Sequence, residues 1–167
     1  MDTYPALTRH SSLGQARICH PGAARTPANL DSPAMDVMTD LLEVEAVVID
    51  PNASMDLAHS YMMQRGVRML LAIDADETLV GIITANDILG ERPVNLAQER
   101  RIHHSDILVS DVMTPAARLD AFDIGQVSNA CVGQVVSSLQ ESRRHHALVT
   151  QRNAQGQVQI RGIFSLS

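Results

Sequence analysis

Apolar and polar positions alternate along this chain in a pattern that fixes most of its elements. Ala46-Val47-Val48-Ile49 is a β-branched run ending at Asp50-Pro51, as where a strand meets a turn. Ser54 then caps a segment whose apolar positions Leu57, Ala58, Tyr61 and Met62 follow helical spacing, and Gly66 stands where a left-handed C-cap is needed. Met69 to Ile73 and Leu79 to Thr84 are apolar runs of strand length, separated by the polar turn Asp74 to Thr78. Thr84, with Asp87 three positions on, marks the first turn of another helix. The first half therefore reads strand, helix, strand, strand, helix. Asp31-Ser32-Pro33 opens a short helix ahead of it, with proline at the first helical position.

Gly90 to Pro93 breaks this pattern, and Val94 to Arg101 suits a short polar helix. In the second half the helical stripe returns at Val132, Val135, Val136 and Leu139, followed by a hairpin of Ala147 to Thr150 and Val158 to Phe164 around Asn153 to Gly156. Aligned on Ser54, Leu57, Ala58 and Tyr61 at an offset of 78, this stripe puts Arg144 on Gly66 and His146 on Arg68. Ala116 to Asn129 is weakly strand-like, so the first strand of the second half is not fixed by pattern. Residues 1 to 32 carry scattered Pro, Gly, Ser and Arg with no period and read as an extended or partly ordered arm.

The two halves repeat each other. Asp36-Val37-Met38-Thr39 recurs 75 positions later as Asp111-Val112-Met113-Thr114, and Gly81-Ile82-Ile83-Thr84 has an echo 81 positions later in Gly162-Ile163-Phe164-Ser165. A unit that opens with Asp-Val-Met-Thr and closes with Gly-Ile-Ile-Thr-x-x-Asp resembles the cystathionine-β-synthase-type (CBS) domain, which normally occurs as a tandem pair. The resemblance implies an α/β (α+β) fold of two units packed as a pseudo-two-fold pair: residues 33–92, a linker at 93–106, and residues 107–167. At the offset of 81 the counterpart of Asp87 would be residue 168, so the second unit is expected to lack its final helix in this chain. Each unit is expected to pack a small three-stranded sheet against the other, leaving two clefts.

Composition narrows the chemistry. The chain has 167 residues, 45% of them hydrophobic but only 2% aromatic, with eight Met and no Trp, so its core must be aliphatic and Met-rich. A net charge of −6 leaves no broad basic face for a nucleic-acid backbone. Cys19 and Cys131 show no metal-knuckle spacing, and adjacent His103 and His104 lack nearby further ligands. No apolar run is long enough to span a membrane and no signal peptide opens the chain, so a cytoplasmic protein is expected.

A strand running into a helix N-terminus, as at Gly81 to Asp87, presents unpaired N–H groups on which an anion can dock, and Gly81 admits either a ligand or a neighbouring backbone. Thr84 and Asp87 can equally form a capping box that binds nothing. The CBS resemblance implies a ligand such as AMP, ATP or S-adenosylmethionine, with ribose at Asp87, phosphate at Thr84, Ile82 and Ile83 along the cleft wall, and Ser165 as the phosphate-side counterpart in the second site. His146 either contacts that ligand or sits half-buried at a strand start. The motifs of a nucleophile elbow, a P-loop, a dinucleotide fingerprint or a zinc protease are missing. The expectation is a non-enzymatic, stand-alone regulatory module without a required cofactor, homodimeric and acting on a regulated protein; the alternative is a ligandless dimerisation scaffold.

Overall fold

The computed structural model describes residues 16–17 and 27–166. The arm expected over residues 1–32, and Cys19 with it, falls largely outside the described residues. A 3-10 turn at Ala34–Asp36 leads into β1 (Thr39–Asp40), β2 (Val48–Ile49), α1 (Met55–Arg65), β3 (Met69–Ile73), β4 (Leu79–Thr84), α2 (Ala85–Leu89) and α3 (Arg92–Arg100). After a second 3-10 turn at His104–Asp106 come α4 (Val109–Val112), β5 (Thr114–Pro115), β6 (Ala121–Asp123), α5 (Ile124–Val127), α6 (Val132–Glu141), β7 (His146–Arg152) and β8 (Val158–Ser165).

The strands form two four-stranded sheets rather than two of three, because the halves exchange edges. One sheet runs β2-β3-β4-β5 and the other β1-β8-β7-β6. Each Asp-Val-Met-Thr segment thus delivers its last residue to the other half: Thr114 pairs with Ile82, and Thr39 with Ile163. The repeated glycines explain the exchange. A Cβ on Gly81 would lie 2.6 Å from the Thr114 carbonyl oxygen and 2.8 Å from Met113 Sδ, and one on Gly162 would lie 2.5 Å from Met38 Sδ. Gly81 therefore admits a neighbouring backbone, not a ligand.

Local chemistry places the elements. Ser54 Oγ accepts the Leu57 N–H at 3.1 Å, and Gly66 ends α1 at φ 67°. The buried face of α1 is Met55, Ala58 and Met62; the expected stripe is only half right, since Leu57 and Tyr61 lie on the exposed side. In α6 the buried positions are Val135 and Leu139. These match Ala58 and Met62 at an offset of 77, and Arg143, at φ 53°, matches Gly66 at the same offset. The alignment at 78 is thus one residue out: Arg143 holds the left-handed position equivalent to Gly66, and His146 corresponds to Met69. Pro33 precedes a three-residue 3-10 turn instead of opening a helix, and α3 begins at Arg92, two residues before the expected start.

Two cores lie on the helix sides of the sheets, one around Met55, Leu70, Ile83 and Val112, the other around Ala34, Leu139, Val149 and Phe164. A third cluster, Leu71, Ile82 and Leu148, joins the sheets face to face. The exchanged β1 is further tied down by Arg161, whose guanidinium donates to both Asp40 carboxylate oxygens at 2.8 Å. That hydrogen-bonded pairing, helped by the Leu42 N–H, holds the Asp40 carboxyl well below its usual range, at about 2. At Asp111 burial works to raise the pKa, but the Leu108 N–H and the Arg100 guanidinium outweigh it and the net shift is downward.

Candidate functional site

Backbone hydrogen bonds fix which residues the internal two-fold relates. Leu71 N–H donates to Val47 O and Leu148 N–H to Asp120 O, both at 3.0 Å. Val67 N–H donates to Met62 O and Arg144 N–H to Leu139 O; Ala85 N–H donates to Arg68 O and Leu166 N–H to His145 O. Val47 and Asp120, Val67 and Arg144, and Arg68 and His145 are therefore equivalent positions on opposite sides of the joint.

Two hollows lie along this joint. The larger, about 610 Å³, is walled by Ala46, Val47, Val67, Met69, Leu71 and Ile163, with Thr39, Glu45, Arg65, Arg68, His146 and Ser165 supplying polar groups. The smaller, about 280 Å³, straddles the two-fold: Arg68 faces its equivalent His145, Thr84 its equivalent Ser165, and Asn86 and His146 complete it. Arg68, His146 and Ser165 line both, so the two hollows adjoin at a polar neck.

The residues singled out in the sequence divide between these places. Thr84, Ser165 and His146 come together in the smaller hollow, and His146 and Ser165 also reach the larger. Thr84 is only 8% exposed, and its hydroxyl is committed to the N-cap of α2. It donates to Asp87 Oδ2 at 2.8 Å and accepts the Asp87 N–H at 3.2 Å, while the same carboxylate oxygen accepts the Thr84 N–H at 2.8 Å. Asp87 lines neither hollow, although its charge is felt at His146. Ile82 belongs to the joint between the sheets; Ile83, fully buried, points the other way into the core of the first half, because successive strand residues face opposite sides.

Burial lowers the His146 pKa below its ordinary value, neighbouring His145 pushes in the same direction, and Asp87 opposes both. His146 is therefore a neutral donor and acceptor at pH 7. Sequence reasoning did not single out Arg68, Arg65, Ala46, Val47 and Val67. The offset of 77, visible from the shared left-handed conformation of Gly66 and Arg143, sets Arg68 opposite His145 and draws attention to the segment before each strand. His104 Nδ1 stands 3.5 Å from Asp56 Oδ1, and among the described residues no group of three or more His, Cys, Asp or Glu is arranged to hold a metal ion. No described helix is long and apolar enough to cross a membrane.

This architecture, two exchanged α/β sheets packed about a two-fold with hollows at their joint, defines a duplicated module. Residues 34–93 match the family model of the CBS domain, and the fold of the whole chain is like that of solved CBS-pair proteins. No curated protein matches it. Among solved structures, an uncharacterised conserved protein from Pyrococcus horikoshii is 25% identical, over 82% of this chain and 88% of that one, with a TM-score of 0.56. CBSX2 from Arabidopsis thaliana, solved in complex with AMP, is 24% identical over 80% and 90%, with a TM-score of 0.54. The CBS domain pair of protein MJ0100, in complex with 5′-methylthioadenosine and S-adenosyl-L-methionine, is 17% identical over 83% and 90%, with a TM-score of 0.52. The last two likenesses speak for the fold alone.

Proposed function

We propose that this protein is a regulatory, non-enzymatic module that binds an adenine nucleotide or adenosine derivative between its two halves and passes the resulting change in their geometry to a partner protein. One observation carries the reading above all: the 610 Å³ hollow combines aliphatic walls with Glu45, Arg65, Arg68, His146 and Ser165. Its volume is in the range of small-molecule sites, roughly 300–1,000 Å³. Apolar walls suit the flat faces of a heterocycle, and a guanidinium with a hydroxyl suits an anionic or strongly polar tail. Two proteins of the same fold were solved with AMP or with S-adenosyl-L-methionine and 5′-methylthioadenosine, all adenosine derivatives. Binding shifts the two halves only by as much as the ligand prefers one arrangement over the other.

The site in this proposal is centred on Arg68, His146 and Ser165, with Thr84 reaching the same neck. Asp87, assigned to ribose by family resemblance, acts through the capping box and through His146. That box favours a second reading for the Thr84 side: a satisfied helix start needs no ligand, as in a plain scaffold. Exposed Leu57 and Tyr61 on α1 and Leu89 on α2 support a homodimer as the assembled form, with light scattering as the measurement.

Isothermal titration with AMP, ATP and S-adenosylmethionine tests the proposal. Arg68→Ala is expected to weaken binding of the phosphorylated ligands at least about tenfold, the loss of one charge-assisted hydrogen bond. No heat and no thermal shift with any of the three would leave the scaffold reading.

A further inference from the structure

At one repeated place the joint carries an ionisable ring on one side only. His146 opens β7 and pairs with Ser165 of β8, as Met69 opens β3 and pairs with Thr84 of β4. The second half thus has an imidazole where the first has a thioether. Ala147 and Val149 lie in the helix-side core and Leu148 in the cluster between the sheets, so strand alternation turns His146 toward the joint. There it lines both hollows, at the neck where they adjoin.

The charged groups around it leave that neck short of negative charge. Arg68, from the segment ahead of β3, lines both hollows with the ring; Arg65, at the end of α1, lines the larger and His145 the smaller. Glu45, ahead of β2, reaches only the larger hollow. Asp87 of α2 is felt at the ring but lines neither, and its Oδ2 already accepts the Thr84 N–H and hydroxyl. A proton on His146 therefore places a second cation beside the Arg68 guanidinium, and the half-buried ring stays neutral at pH 7. A phosphate set in the neck reverses that balance, because an opposite charge within reach favours the charged ring.

From this arrangement we infer that an anionic tail entering the neck draws a proton onto His146, so that the module holds phosphorylated adenosine derivatives more tightly as the solution turns mildly acidic. The inference rests on the function proposed above and adds the proton as a second input to the same site. Linkage is reciprocal: what the phosphate does for the proton, the proton does for the phosphate.

The test is the affinity for AMP at about pH 7.5 and about pH 5.5, on either side of the ordinary histidine range, by isothermal titration on the full chain and on His146→Met. Methionine is the residue the fold already carries at the matching place in the first half. The phosphate of AMP itself titrates near about pH 6, so the readout is the ratio of wild-type to variant affinity at each pH, in which that titration cancels. This ratio is expected to rise at least about fivefold from the higher pH to the lower, as a phosphate beside the ring raises its pKa by about one or more. A level ratio would overturn the inference and leave the proposed function standing, whereas no AMP binding at either pH would remove both. A second measurement needs no variant. The His146 ring signals, followed by NMR as pH is changed, should reach their midpoint at a higher pH once AMP is saturating; an unmoved midpoint with AMP bound would overturn the inference as well.

Discussion

The β4 and β8 sheets are closed by the same device made of different materials. In the first, β5 brings Thr114-Pro115 against Gly81-Ile82, and the glycine faces a backbone carbonyl as well as Met113. In the second, β1 brings Thr39-Asp40 against Gly162-Ile163, and the atoms nearest the glycine belong to the side chain of Met38, while Arg161 and Asp40 add an ion pair. Backbone register is shared and side-chain chemistry is not. The duplicated frame has kept its hydrogen bonds while each copy found its own way of filling equivalent positions.

The largest expected difference lies at the glycines. Gly81→Ala forces a methyl group onto the rigid Thr114 carbonyl and should cost about 3 kcal/mol, whereas Gly162→Ala meets a flexible thioether and should cost about 1 kcal/mol. Thermal unfolding of the two variants checks this, and equal losses would show that the two edges resist crowding alike. A smaller contrast sits at the ends of α1 and α6. Gly66→Ala should destabilise by about 1 kcal/mol, and Arg143→Gly, at the equivalent left-handed position, should stabilise by a similar or lesser amount. Urea midpoints of opposite sign are the expected result.

The pH dependences should be smaller still and run on different groups. The depressed pKa of Asp40 means that its pairing with Arg161 contributes stability above about pH 4, the unfolded carboxyl range, and loses it as pH falls toward about 2. Asp40→Asn should therefore be less stable than wild type at pH 7 and converge on it near pH 2. His146, whose pKa is also depressed, gives the corresponding effect at milder acidity. The unfolded chain takes up the proton first, so wild type should lose stability relative to His146→Asn as pH drops through about 6.5. Melting curves at pH 7.5 and 5.5 would register the difference, and parallel curves would mean that the His146 environment is wetter than its burial implies.

The central elements were legible because several local signals agreed. At β3, β4 and the two ends of α1, apolar runs, a serine cap, a polar turn and a glycine all pointed one way. The two-residue strands β1 and β5 were not legible, since two residues show no period and their partners lie in the other half. Arg143 hid the correct alignment: with glycine at one helix end and arginine at the other, the shared left-handed conformation left no common residue to match. The four-residue α5, between β6 and α6, has no counterpart between β2 and α1, and it blurred the first strand of the second half. At the candidate site, Thr84 and Ser165 could be paired from the repeat, His146 was reached only through an alignment one residue out, and Arg68, Val47 and Val67 were not reached. Their part depends on the other half lying against them, which no local pattern reports.

Because each half supplies the other's edge, neither sheet is complete until both halves are on hand. Asp40 meets Arg161 across 121 positions of chain, and such distant pairing is entropically slow to reach. On the ribosome β1 emerges well before β8 and waits for its partner while the intervening chain is made. The same trade of edges between two chains would give a domain-swapped pair at high concentration, so refolding yield should fall as protein concentration rises.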